Sequence, residues 1–405
     1  MYSALVGKFL EEHKEQFHHI GLELWKNPEL LFQEHFAHQL LTDYLERNGF
    51  AVQREYAGLT TAFRAEIATA NYITGCESHP TVAILCEYDA LPQIGHACGH
   101  NLIAEVGVAA ACAARHVLLH AEWSKSPAKI VVLGCPAEEG GGGKITLINN
   151  GAFRDIDFAL MIHPHYSDVL YVATLGIERV IVRYTGKASH ASCGPWDGIN
   201  ALDAAISAYN SVSLLRQQMK PDWRVHAIIS GCSEAVNVIP ENSVSEYYIR
   251  CLLPEDLPIL KEKVTRCFES AALATGCKLS LEWDPMRYLP LRSNHVLADI
   301  FGRFAKDEGI VYEPDPGLMG SSDIGNVSNV IPTIQPKVSL GKLALIHTKE
   351  FATLAGSPDA QPYALRAAKI IALTTLELFD SPGLRAAAQK EFNMAFKKIP
   401  DEPEI

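Results

Sequence analysis

The chain has 405 residues, 48% of them hydrophobic and 20% charged, which suits a folded protein of one or two domains and argues against extensive disorder. A formal net charge of −12 argues against a nucleic-acid partner, which would need basic patches. Ten cysteines without any CxxC spacing argue against a disulfide framework and for reduced thiols in the cytoplasm.

Residues 1–50 read as helical. Leu5, Phe9, Leu10 and Phe17 form the apolar side of an amphipathic surface helix, unlike the continuous apolar core of a secretory leader. Asn27-Pro28 breaks it, and a second helix is expected over Glu34–Asn48, with Leu40, Leu41, Tyr44 and Leu45 on one face. Strands are expected near Ala51–Tyr56, Thr61–Ile67 and Thr81–Leu85. The last of these runs into CEYDALPQIGHACGHN, Cys86–Asn101, which gathers Glu87, Asp89, His96, Cys98 and His100 before a long apolar segment, Leu102–His120. Strand, polar loop, then helix is where open α/β sheets place their sites. No apolar run reaches the roughly eighteen residues of a membrane span, since Glu105 interrupts the best one, Leu102–Ala114, so no membrane partner is expected.

Lys129–Leu133 is a buried-strand run that ends in Cys135-Pro136-Ala137-Glu138-Glu139 and four glycines, with a helix from about Lys144. The glycine run would let a substrate approach the backbone closely, but it lacks the spacing of a phosphate-binding loop. Asp157–Ile162 is a further strand and runs into His163-Pro164-His165. Three successive strands thus end on acid or imidazole groups. The texture changes after Tyr166. Strands near Ile177–Tyr184, Arg224–Ile229, Val244–Leu252 and Lys278–Trp283, with helices near Asn200–Gln217 and Glu255–Thr275, follow the order β-α-β-β-α-β of a ferredoxin-like unit. A helix near Asn294–Lys306, a strand at Val330–Gln335, His347 in a loop and a helix over Ala360–Phe379 complete the chain before an acidic, loose tail, Pro400–Ile405. The fold class is therefore α/β, a mostly parallel-sheet catalytic domain formed by 1–174 and 287–405, with an inserted α+β domain at 175–286.

One thiolate, one carboxylate and three imidazoles, from Cys98, His100, Glu139, His163 and His347, can hold two divalent ions if one group bridges. Thiolate and imidazole favour Zn²⁺, and a carboxylate also admits Mn²⁺. With Glu139 at the metals, Glu138 is free to move a proton between an attacking water and a leaving amine. His165, two residues after His163, is a rival ligand that spacing alone does not exclude. In the inserted segment, Asn237 and Arg250 suit a carboxylate-ended substrate, and His190 in GKASHAS could stabilise an oxyanion.

CEYDALPQIGHACGHNLIA, CPAEEGGGGK, GKASHASCGPWDGINALDA, NVIPENS and GSSDIGNVS together resemble the aminoacylase and carboxypeptidase G type of two-metal metallopeptidase, over nearly the whole chain. Within that family the resemblance is to the amidohydrolase subgroup and, closest, to its Xaa-Arg dipeptidase branch, which cleaves β-alanyl-lysine-type dipeptides. The resemblance implies that Cys98, His100, Glu139, His163 and His347 are the ligands, with Cys98 bridging. It implies that Glu138 is the general base and that Asp89 orients the ligands. It further implies that Asn237 and Arg250 clamp the substrate carboxylate, and that His190 belongs to a lid and dimerisation domain that makes the protein a homodimer. Where many relatives carry an acid after CGH this chain has Asn101, which alters the charge around the ligands. The expected activity is hydrolysis of dipeptides with a basic C-terminal residue, with Zn²⁺, Mn²⁺ or Co²⁺ as cofactor. N-acyl amino acid or p-aminobenzoyl-glutamate hydrolysis is the alternative, and a metal-dependent binding protein without catalysis is a third reading.

Overall fold

The computed structural model describes residues 2–76, 78–120, 127–232, 235–314 and 320–396, so the acidic tail at 400–405 lies outside the described residues. Two units emerge: one built from Met1–Ala173, Leu291–Gly317 and Asp323–Ile405, the other from Thr174–Pro290 and Leu318–Ser322.

The first unit opens with helices α1 (Tyr2–Lys26) and α2 (His35–Arg47). Strands β1 (Ala51–Arg54), β2 (Phe63–Ala68) and β3 (Thr81–Glu87) follow, then helix α3 (His100–Leu118). Next come β4 (Lys129–Cys135), α4 (Gly143–Asn149), β5 (Phe158–Leu160) and β6 (His163–His165). β3 and β4 are buried along their whole length, as expected of strands covered on both faces. Helix α3 packs on β3 and is flanked by α1. It is long and apolar enough to cross a membrane, which its apolar run alone did not suggest, because it continues past Ala114 to Leu118; 89% of its apolar window is buried inside the protein.

The second unit carries β7 (Gly176–Thr185), α5 (Ala201–Leu214), β8 (Arg224–Gly231), β9 (Asn242–Cys251), α6 (Asp256–Thr275) and β10 (Lys278–Trp283). Its sheet order is β10-β7-β9-β8 with every pair antiparallel, the ferredoxin-like arrangement. Burial alternates along β7 and β9, so one face meets α5 and α6 and packs Tyr184, Tyr247 and Phe268 into a separate core. The main segment of this unit runs from Thr174 to Pro290, where the sequence suggested 175–286. Ile177 N donates to Tyr288 O at 2.9 Å, so the exit of the segment pairs with its entry. Leu175 N donates to Gly320 O at 3.1 Å and ties in the later stretch.

The chain returns to the first unit through α7 (His295–Asp307), α8 (Ile324–Ser328), β11 (Thr333–Ile334), β12 (Lys337–Ser339), α9 (Lys349–Ala355), α10 (Gln361–Asp380) and α11 (Pro382–Phe396). The main sheet runs β1-β2-β4-β3-β5-β11, parallel from β4 to β11 and antiparallel at β1 and β2. β12 and β6 form a separate parallel ribbon. The strand expected at Val330–Gln335 shrinks to Thr333–Ile334 because Pro332 and Pro336 have no N–H to give, although their carbonyls accept from Ala159 N and His163 N.

Glu105 is the buried acid of α3. Its Oε2 accepts from Gln361 Nε2 at 3.1 Å, while Oε1 has no hydrogen-bond partner among the described residues. Burial pushes this carboxyl up to about 8 from 4.5. Below 4.5 both folded and unfolded chains keep the proton, and between there and 8 only the unfolded chain releases it, so stability falls as pH rises through that window. Glu105→Gln is therefore expected to stabilise the protein increasingly from pH 4.5 to 8, by on the order of a few kcal/mol at the plateau. Melting curves of both proteins across this range check it; a gain independent of pH would contradict it.

Candidate metal centre

The site is built at the C-terminal ends of the parallel strands of the first unit. After β3 the chain carries Asp89 and Cys98 to the first residue of α3, His100. Gly99 joins them with φ of +80°, and a Cβ there would meet Pro164 and Phe351 at 3.1–3.2 Å, so only glycine fits without displacement. His100 Nδ1 bonds the Asp89 carbonyl at 2.9 Å and Asp89 Oδ1 at 3.1 Å, which turns Nε2 inward. Asp89 Oδ2 also accepts from Glu139 N at 3.0 Å, so one carboxylate sets both the imidazole and the start of the acidic turn.

β4 delivers that turn. Ala137 has φ of +57°, unusual for a residue with a side chain, and Glu138 and Glu139 follow it. Glu138 Oε2 and Glu139 Oε1 both lie 4.0 Å from His100 Nε2. Burial, reinforced by Glu87 and Glu139, holds the Glu138 carboxyl well above the usual carboxylate range. Burial acts on Glu139 in the same sense, but His347 and His100 outweigh it and hold this carboxyl below its ordinary value.

His163 opens β6. Its Nδ1 bonds the Pro164 carbonyl at 2.8 Å and its Nε2 lies 3.4 Å from Cys98 Sγ. Burial lowers its pKa to about 3, so the ring is neutral and can donate a lone pair. His165 packs against Tyr166 and lies 3.2 Å from Ser167 Oγ; among the described residues it belongs to none of the ligand groupings. His347 also has a left-handed backbone, with φ of +64°, held by its N–H donating to Ala97 O at 2.8 Å. Its Nε2 is 3.2 Å from Glu139 Oε1.

These side chains form overlapping groups: Cys98, His100 and His163; Cys98, Glu139 and His347; His100, Glu138 and Glu139. Within each, the donor atoms lie within 4.8 Å of one another. Cys98 is common to the first two, as a bridging thiolate would be. His100 Nε2 is buried with no hydrogen-bond partner among the described residues, and the one close neighbour of Glu139 Oε1 is another candidate donor, His347 Nε2. Such atoms are costly to bury unless something else satisfies them, and thiolate, imidazole and carboxylate donors facing one another fit a pair of divalent cations.

A second layer lies beneath. Lys144 Nζ contacts Glu87 Oε1 and donates to Asp323 Oδ1 at 2.5 Å, and Lys144 N donates to Asp323 Oδ2 at 2.9 Å. All three side chains are fully buried. Burial works against the ammonium, but Asp323 and Glu87 outweigh it and keep Lys144 charged. Glu87 Oε2 is 3.6 Å from His100 Nε2. Sequence reading did not find this triad; a lysine opening an otherwise apolar helix was the signal, since a buried charge requires a partner.

Asn101 spends its amide on structure, donating to Gly21 O at 3.2 Å and Ala355 O at 2.9 Å. His96 is buried with Nε2 3.1 Å from Leu24 O, outside the ligand groupings. Three expected site residues lie in the second unit. His190 is exposed; its Nδ1 accepts from Ser192 N and Cys193 N, both at 3.3 Å, and its backbone pairs with Val238. Asn237, also exposed, is brought beside it by Ala191 N donating to Asn237 O at 2.8 Å. Arg250, half-buried on β9, is not part of that pair; it donates to Ser321 Oγ at 3.1 Å and lies over the Tyr248 ring.

A family profile described as peptidase family M20/M25/M40 matches residues 84–354. The chain is 44% identical to a mouse (Mus musculus) Xaa-Arg dipeptidase over 95% of its own length and 90% of that protein. It is 27% identical to a p-aminobenzoyl-glutamate hydrolase polypeptide of Escherichia coli, covering 94% of this chain and 93% of that one. A solved structure of a dinuclear metal binding peptidase from Bacillus subtilis superposes with a TM-score of 0.64 at 19% identity, covering 88% of this chain and 98% of that one.

Proposed function

Since this chain belongs to peptidase family M20/M25/M40, we propose that it is a two-metal dipeptidase that hydrolyses the amide bond of dipeptides ending in a basic residue, of the β-alanyl-lysine type. The observation that carries this reading is Cys98 shared between two groups of facing donors, with Glu138 buried beside them. The mouse and human relatives named Xaa-Arg dipeptidase, at 44% and 42% identity, support the substrate class. The donor set favours Zn²⁺ and admits Mn²⁺ or Co²⁺.

Metal ions held by Cys98, His100, Glu139, His163 and His347 would polarise the scissile carbonyl and acidify a water. Glu138, buried beside these donors, takes that proton from the water and delivers it to the leaving amine. Asp89 keeps the His100 ring and the Glu139 backbone aligned. Arg250 and Asn237 are assigned the substrate carboxylate and His190 the carbonyl oxygen. The reading includes a cytoplasmic homodimer. No disulfide joins the ten cysteines among the described residues, in keeping with a reducing compartment.

The test is a parallel assay on β-alanyl-lysine, Xaa-Arg dipeptides and p-aminobenzoyl-glutamate, with Zn²⁺, Mn²⁺ or Co²⁺ restored after chelation. Chelation is expected to abolish turnover, metal to restore it, and basic dipeptides to be the preferred substrates. Preference for p-aminobenzoyl-glutamate would favour the second reading, which the E. coli relative supports distantly. Equilibrium binding of a dipeptide without cleavage under every metal would overturn both.

A further inference from the structure

We propose that Glu34, in the loop between α1 and α2, is a positioning residue that aims the Glu138-Glu139 pair. Its side chain is fully buried and does not cap α2. Instead Oε1 accepts from Ala137 N at 2.9 Å and from Phe32 N at 3.0 Å, and Oε2 accepts from Thr61 Oγ1 at 2.8 Å. Ala137 is the residue with left-handed φ immediately before the two acids. Such a conformation is strained for a residue with a side chain and persists only where its surroundings over-determine it. Here the Glu34 carboxylate grips its N–H, and Gly141 N donates to its carbonyl at 3.1 Å. The reversal at Ala137 sends Glu138 inward and presents Glu139 N to Asp89.

The same carboxylate reaches the other ligand-bearing loop. Tyr88 OH donates to Thr61 O at 2.5 Å, and Tyr88 directly precedes Asp89. An unbroken chain of contacts therefore runs from the Asp89 loop through Thr61 and Glu34 to the Glu138 turn. Two further contacts fix the loop that carries Glu34: Ala90 N donates to Glu29 O at 2.8 Å, and Phe32 lies so close to Gly141 that a Cβ there would be 2.6 Å from its ring.

Three substitutions separate reach from charge. In Glu34→Gln the amide oxygen still accepts from Ala137 N and the amide nitrogen donates to Thr61 Oγ1. Glu34→Asp keeps the charge but is one methylene short. Glu34→Ala removes the link. The alanine and aspartate variants are expected to lose about 10²-fold in kcat, as misplaced catalytic groups do, with KM little changed. Both should also give up Zn²⁺ to a chelator at lower concentration than the parent, because Glu139 shifts with the turn. Glu34→Gln should keep kcat within about fivefold and retain Zn²⁺ as the parent does. A loss in Glu34→Gln as large as in Glu34→Ala, an active Glu34→Asp, or a change confined to KM would overturn the proposal. If Glu34→Ala does not fold, the Gln and Asp pair decides. The turnover arm rests on the dipeptidase reading. A parent that cleaves none of the substrates refutes that reading alone, and Zn²⁺ retention still tests Glu34.

Discussion

Glu138→Ala is expected to keep its bound metal and to lose about 10²–10⁴-fold in kcat, the range typical of a lost general acid–base group. The proposed mechanism gives the acidic pair two different roles. Glu139 belongs to the group with Cys98 and His347, and its backbone is fixed by Asp89. Glu138 is absent from the two groups that share Cys98 and lies buried beside them. Removing Glu138 therefore leaves the five donors standing and removes the proton carrier. Metal analysis of the purified variant beside steady-state kinetics makes the comparison. Turnover within about tenfold of the parent would refute the assignment, since a general base is worth more than that. Loss of metal would move Glu138 into the ligand set.

Lys144→Met is expected to destabilise the first unit by about 3–5 kcal/mol, the usual cost of removing one partner from a buried charge cluster. Lys144 is the cation between Glu87 and Asp323, and all three side chains are closed off from water. Methionine fills the space but leaves two carboxylates facing each other in a dry interior. Neutralising them as well, in Lys144→Met with Glu87→Gln and Asp323→Asn, is expected to recover most of the loss. Chemical denaturation of the parent and both variants reads this out. A single-variant loss under about 1 kcal/mol would mean that the cluster contributes no more than an exposed ion pair.

Much of the centre was legible because each donor follows an apolar strand run, and parallel strands in one sheet end on the same side. That rule gathered Glu87, Asp89, His96, Cys98, His100, Glu138 and Glu139, and the family resemblance picked Cys98, His100 and Glu139 from among them. The choice between His163 and His165 did not follow from the rule, since residues two apart on a strand share a face. Depth along β6 decides: His163 is level with Cys98, and His165 has passed on to Tyr166 and Ser167. The second unit was legible in its order of strands and helices, while its limits depended on backbone bonds such as Ile177 to Tyr288. The Lys144 triad drew on three distant segments, and no local pattern connects positions 87, 144 and 323. Glu34 was missed because an acid just before a helix reads as a helix-starting signal, whereas this one turns inward to Ala137.

The second unit is spliced into the first between donors. A ribosome releases Cys98, His100, Glu139 and His163 first, then an entire domain with its own core, and only afterwards His347. The candidate centre therefore lacks its last donor until translation is nearly finished. A premature stop anywhere in the insertion leaves a chain that carries four of the five candidate donors and lacks His347.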